Sequence, residues 1–140
     1  MIVCSGGIFL AKNTRRFLLL LRAQGKTAGT WGLAGGKKEP ADITPHDALL
    51  REISEEIGFL TNIVKTVPLE LYSSKDELFS YNTYVILVDD EFIPELNEEH
   101  TGYAWVELNA WPKPLHNGLK NTLNSKAIKG KLQTILDVIS

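Results

Sequence analysis

Thr44-Pro45-His46-Asp47-Ala48-Leu49-Leu50-Arg51-Glu52-Ile53-Ser54-Glu55-Glu56-Ile57-Gly58 carries the clearest punctuation in the chain. Thr44 is an N-cap residue, Pro45 suits the first helical position, Asp47 completes a capping-box pattern and Gly58 is a terminator. The spacing predicts a helix between them. At about 100° per residue, Leu49, Leu50, Ile53 and Ile57 form an apolar stripe, and Glu52, Glu55 and Glu56 fall within roughly a third of the circumference beside it. Carboxylates that converge next to a core are costly: two unit charges ~5 Å apart repel by ~3 kcal/mol at an effective dielectric near 20. A divalent cation reverses the sign. Mg²⁺ takes hard oxygen ligands, keeps waters and shares substrate phosphates, so it suits such a face. A carboxylate not fully engaged with metal can take a proton from water. The plain alternative is a solvated acidic face, with Arg51 pairing Asp47 or Glu55 four residues away.

Outward from this helix, Ile2-Val3, Gly7 to Leu10 and Phe17 to Leu21 read as a strand, a turn over Lys12 to Arg16 and a buried strand. Gly25 to Gly36 holds five glycines and is expected to be loop, with Gly35-Gly36 admitting close backbone approach. Ile63 to Tyr72, Leu78 to Val88 and Tyr103 to Leu108 read as strands, and Leu119 to Leu123 and Ala127 to Ile139 as helices. Strands and helices mixed in this way imply an α/β or α+β sandwich.

The bulk numbers narrow the classes. A chain of 140 residues, 44% hydrophobic and 23% charged, matches one compact domain, residues 1–140. A formal charge of −2 provides no basic field for a nucleic-acid duplex and favours a small charged ligand. Neither a signal peptide nor a run of ~20 apolar residues is visible, so a cytoplasmic location and no membrane partner are expected. Cys4, the one cysteine, is expected to be a buried, inert thiol away from the acidic helix. His46, His100 and His116 show no metal-ligand spacing and are expected at the surface.

Gly36, Asp42 and Arg51-Glu52-Ile53-Ser54-Glu55-Glu56-Ile57-Gly58-Phe59, preceded by Trp31-Gly32-Leu33-Ala34-Gly35, closely resemble the Nudix box, a glycine, a glutamate and the R-E-U-x-E-E-x-G-U helix, U being apolar. The motif spans Gly36 to Phe59, and the flanking strands, Trp105 and terminal helices follow the family's order. Asp42 stands where the motif has glutamate. Ile43 is one extra residue, giving eight instead of seven between Asp42 and Arg51, and Ala34 replaces a common proline.

The resemblance implies a Nudix-type α/β/α sandwich with a mixed sheet and a loop-helix-loop motif, and hydrolysis of a nucleoside diphosphate linked to another group. Carried over by position, Glu52 and Glu56 are metal ligands or proton acceptors, Glu55 is a further ligand, and Arg51 holds the helix carboxylates. The carbonyl of Gly35 or Gly36 adds a ligand. Mg²⁺ is the implied cofactor, with Mn²⁺ as a substitute, and a homodimer is compatible although no residue specifies one. Family members recruit a later carboxylate, and in Asn97-Glu98-Glu99-His100 the choice is Glu99.

Arg22, ending the second strand, is a candidate for substrate phosphate. Base recognition needs a flat apolar slot with a few polar groups; Phe79, Tyr81 and Tyr84 lie on a candidate strand and could supply it, but aromatic residues there are more often core, as Trp105 is also read, and Trp111, near Pro112 and Pro114, is read as fixing a turn. ADP-ribose, a dinucleoside polyphosphate or a (deoxy)nucleoside triphosphate are the open substrate classes. A nucleotide-binding module without turnover is the alternative. An isomerase acting on a prenyl diphosphate is disfavoured by the position of Cys4.

Overall fold

The computed structural model describes residues 1–58 and 62–139. In chain order it contains strands β1 (Ile2–Ala11), β2 (Arg16–Arg22), β3 (Trp31–Gly32) and β4 (Ala34–Lys37), helix α1 (Pro45–Ile57), strands β5 (Ile63–Ser73), β6 (Phe79–Val88) and β7 (His100–Val106), and helices α2 (Asn117–Asn124) and α3 (Lys126–Ile139). Phe59, the last residue of the motif, lies outside the described residues.

The described strands form a seven-stranded sheet with the path β3-β2-β1-β6-β5, β4 also pairing with β1 and β7 with β2. The β1–β6 pair is parallel and the other ladders are antiparallel, so the sheet is mixed. Because side chains alternate across a strand, Ile8 and Leu10 of β1 enter one core and Phe9 and Ala11 the other. The first core is covered by Leu119, Leu123, Ile128, Leu132 and Leu136 of α2 and α3. The second is covered by Leu49, Ile53 and Ile57 of α1. This is the expected α/β/α sandwich.

Helix α1 begins and ends as its residues dictate. The Thr44 hydroxyl accepts from the Asp47 amide, and the Asp47 carboxylate accepts from the Thr44 amide, both at 3.1 Å. Gly58, at φ 93°, closes the helix in a conformation that glycine adopts without steric cost. Leu50 does not belong to the buried stripe; it is 40% exposed, because the sheet touches only the Leu49-Ile53-Ile57 row.

Other boundaries differ from the sequence reading for tertiary reasons. The glycine-rich Gly25 to Gly36 segment contains β3 and most of β4, since Ala34, Gly35 and Gly36 pair with Gly7, Gly6 and Ser5 of β1. β1 is continuous through its glycines, held by the parallel β6 ladder along its whole length. β7 starts at His100, earlier than Tyr103, because it follows β2 as far as Arg22. Trp105 and Trp111 both pack at the margins of the cores: Trp105 donates from its indole nitrogen to the Phe92 carbonyl at 3.1 Å, and Trp111 meets Phe17 edge-on at 5.5 Å.

Candidate active site

The inner flank of α1 lies against β4, and glycine makes that approach feasible. A Cβ on Gly36 would stand 2.6 Å from the Glu52 carboxyl, and one on Gly35 would collide with the Ser5 carbonyl of β1. With no side chains there, the Gly35 amide donates to Glu56 Oε2 at 2.7 Å. The helix start is tied to the same strand by the buried Ser5 hydroxyl, which donates to the Pro45 carbonyl at 2.8 Å.

Arg51 is the clamp. Its Nε donates to both Asp42 oxygens at 3.2 Å and its Nη2 to Oδ2 at 3.0 Å. Nη1 reaches Glu52 Oε1 at 3.1 Å and Glu55 Oε2 at 3.2 Å, and Nη2 also donates to the Lys37 carbonyl at 3.0 Å. The extra residue is absorbed by extruding Ile43, 86% exposed, while Asp42 is buried beside the guanidinium. That guanidinium holds the Asp42 carboxyl below its ordinary range, and Asp42 in turn raises Arg51 above its own. Of the two partners foreseen for Arg51, the structure pairs Glu55; Asp47 is spent on the cap.

The three helix glutamates have different surroundings. Glu56 is 4% exposed, Glu52 has a side chain 13% exposed and Glu55 one 55% exposed, on the solvent side with Arg51. Glu99 is delivered to the inner pair by its loop. Asn97 donates to the Glu55 carbonyl at the C-terminal end of α1 at 3.1 Å, and accepts from the Glu99 amide at 2.9 Å. Such a contact satisfies a carbonyl that the helix leaves open.

Burial, foremost, pushes Glu56 up to about 9; the Gly35 amide opposes this, and the hydrogen-bonded Glu99 carboxyl and the Glu52 charge add to it. Glu52 is raised by burial against the pull of Arg51, with Glu55 and Glu99 adding to the rise. Carboxyls in this state hold protons or a cation. Among the described residues no group of three or more His, Cys, Asp or Glu side chains is gathered as a ready ligand shell. The donor chemistry nonetheless fits a hard divalent ion: Glu52, Glu56 and Glu99 present only oxygen and line one cavity with Gly35 and Gly36, and a cation there would favour their ionised forms.

That cavity measures about 750 Å³, within the range of a nucleotide-sized ligand. Arg22 lines it near His100 and His116, whose imidazoles burial, foremost, and the Arg22 charge hold below their ordinary pKa. Arg22 Nε donates to the Thr27 hydroxyl at 2.6 Å. Among the described residues no carboxylate pairs with Arg22. The far wall is built by β5, β6 and α2, including Glu70, Tyr72, Tyr81 and Thr122.

The histidines are not surface residues. His100 is 4% exposed with neither ring nitrogen bonded to protein, where its strand pairs with Arg22 of β2. His116 is half-buried in the cavity wall. His46 bridges α1 to β5 through Thr66 at 2.9 Å and packs edge-on against Tyr84. Cys4 also lines the cavity, contrary to the expectation that it sits apart, since β1 runs beneath α1. Burial, foremost, pushes its thiol up, with Lys37 opposing and Glu52 adding to the rise. Phe79 and Tyr81 are cavity wall as well, not core. The sequence signals for Asn97, His100 and Glu70 are faint: each is an ordinary polar residue in a strand or loop.

Among the described residues no helix is long and apolar enough to cross a membrane. The fold has many solved counterparts. The MutT NUDIX hydrolase of Burkholderia pseudomallei is 25% identical, with TM-score 0.68 over 89% of this chain and 97% of that one. The NUDIX domain of Shewanella oneidensis NrtR, solved with ADP ribose, is 15% identical, with TM-score 0.71 over 96% and 88%. An Ap4A hydrolase of C. elegans, a binary complex, is 18% identical, with TM-score 0.65 over 99% and 98%. No curated protein matches the sequence. The family model described as the NUDIX domain matches residues 4–125, so the chain belongs to the NUDIX domain family.

Proposed function

We propose that this chain, as one catalytic domain, is a metal-dependent pyrophosphohydrolase that splits the diphosphate linkage of a nucleoside diphosphate derivative. The observation that carries the reading is the inward trio Glu52, Glu56 and Glu99 on the wall of a nucleotide-sized cavity, with Glu52 held by the Arg51–Asp42 pair and Glu56 by the Gly35 amide. Glu52 and Glu56, with the Gly35 or Gly36 carbonyl, would hold Mg²⁺ or Mn²⁺, and the family resemblance adds Glu55 from the solvent side. Once bound, the ion supplies neutralisation of the diphosphate and an acidified water.

The residues of the chain do the rest. Glu99 takes the proton of the attacking water as the new P–O bond forms and the bridging P–O bond breaks. Arg22 orients a phosphate by charge-assisted hydrogen bonds, and Arg51 keeps Glu52 turned toward the cavity. ADP-ribose, dinucleoside polyphosphates and (deoxy)nucleoside triphosphates are the substrate classes. The ADP ribose in the Shewanella domain and the Ap4A hydrolase fold support the first two. The dihydroneopterin triphosphate pyrophosphohydrolase of E. coli, 19% identical with TM-score 0.59, supports the third.

A panel of nucleotides with Mg²⁺ or Mn²⁺ and identified products tests this. Pyrophosphate release marks a triphosphate substrate, and AMP with a phosphorylated remainder marks an ADP-linked one. Tight nucleotide binding with no metal-dependent product would instead establish a binding module.

A further inference from the structure

The far wall of the cavity contains a carboxylate, Glu70, apart from the Glu52, Glu56 and Glu99 cluster. Glu70 lies on β5, and a bulge between Pro68 and Glu70 sets it opposite Thr83 of β6, after Pro68 opposite Tyr84. In regular pairing Glu70 would face Asn82 and turn to the opposite side of the sheet, because a one-residue slip exchanges the faces. The bulge therefore aims Glu70 into the cavity beneath α2. There its Oε1 accepts from the Thr122 hydroxyl at 2.7 Å, against 3.2 Å from that hydroxyl to the Gly118 carbonyl. Among the described residues Glu70 has no ion-pair partner, and Oε2 has no hydrogen bond. Two residues on, Tyr72 meets Phe79 with ring centroids 6.2 Å apart, and both rings line the same wall.

A fixed, unpaired carboxylate repels phosphate and accepts N–H donors. At the other end of the cavity Arg22 has no carboxylate partner and attracts phosphate. Glu52, Glu56 and Glu99 also line the cavity, but they are the carboxylates that would hold the cation a diphosphate needs; a nucleotide with its phosphates toward that ion and Arg22 turns its base toward Glu70. A carboxylate pairs best with two adjacent N–H donors, a geometry that a ring imide or a single exocyclic amine does not match. The 2-aminopyrimidin-4-one edge offers that pair, and guanine and the pterins carry it.

We propose that Glu70, positioned by Thr122 and flanked by the Tyr72 and Phe79 rings, is the base-reading residue of this site and selects substrates with a 2-aminopyrimidin-4-one edge. The proposal rests on the metal-binding part of the hydrolase reading for the orientation of the nucleotide, so binding is measured with Mg²⁺, and on its turnover for the kinetic arm. GTP, dihydroneopterin triphosphate, ATP, CTP and UTP are assayed for kcat and KM, and GMP, AMP, CMP and UMP for binding by calorimetry. Wild type is expected to favour GTP or the pterin over UTP by about tenfold to a hundredfold, mainly in KM, and the ratio of GTP to the pterin identifies the source of the edge. Glu70→Gln keeps one acceptor and gains a donor, which suits adenine. It should lower the GTP preference over ATP at least tenfold, read as the ratio of kcat/KM for the two nucleotides.

Thr122→Val, which keeps the packing of α2, should weaken the preference in the same direction. Turnover without base preference, or a preference unmoved by both variants, overturns the assignment and leaves the hydrolase reading intact. Selective binding of GMP that Glu70→Gln abolishes, without turnover of any nucleotide, upholds the assignment and removes the hydrolase reading.

Discussion

Glu56 shows how a single side chain is set by its surroundings. It is a carboxyl under the core edge with one backbone donor, and burial raises it to about 9. In chelator, the folded state therefore keeps a proton that the unfolded chain loses near ~4.3. The sign follows: this stability is complete below ~4.3 and declines as pH rises toward about 9. Thermal melts of the metal-free protein should fall between pH 5 and 8, and Glu56→Gln should flatten that slope and be more stable at pH 8 by about 1–2 kcal/mol. An unchanged slope in the variant places the titrating group elsewhere. With metal and substrate, Glu52→Gln or Glu56→Gln should lower turnover by about 10²-fold or more with folding retained.

At the scale of the element, α1 is a scaffold whose fixings are all tertiary. Asp42, drawn down in pKa by Arg51, contributes to holding the loop only while ionised. That contribution is present above ~3.9 and is lost as pH falls through the depressed folded value. Asp42→Asn should loosen the Arg51 clamp and lower kcat by about tenfold to a hundredfold through misplaced carboxylates, while circular dichroism still reports an intact helix. Deleting Ile43 should cost little, because it projects into solvent, 86% exposed; a large loss of activity would mean that loop length itself shapes the site.

For the whole molecule, the sheet separates two cores with different duties. Leu132, 1% exposed in the α2–α3 core, packs away from the α1 carboxylates. Leu132→Ala should destabilise by about 2–5 kcal/mol in denaturant melts and leave kcat near wild type. Ile53→Ala, in the α1 core, should destabilise similarly and also reduce kcat, since it sits under Glu52 and Glu56. Saturating Mg²⁺ should raise the stability of wild type by about 2.7 kcal/mol at a hundred times Kd, and should do so far less in Glu52→Gln.

Much of this is legible in the amino-acid sequence. The caps of α1, the alternation of β1 and β2 and the spacing of Glu52, Glu55 and Glu56 are local patterns, written within one or two turns of chain, so the residues determine them directly. What the linear pattern could not show is which glutamates point inward: Glu55 and Glu56 are neighbours, yet only Glu56 meets the Gly35 amide. Nor could it show that Asn97 carries Glu99 to the end of α1, that His100 is buried beside Arg22 of β2, or that a bulge turns Glu70 into the cavity. Sequence by itself determined the helix, its acidic face and the layered fold. Tertiary structure decided which residues gather at the candidate site, because register, bulges and close backbone approach depend on partners distant in the chain, and a shift of one residue sends a side chain to the other face of the sheet.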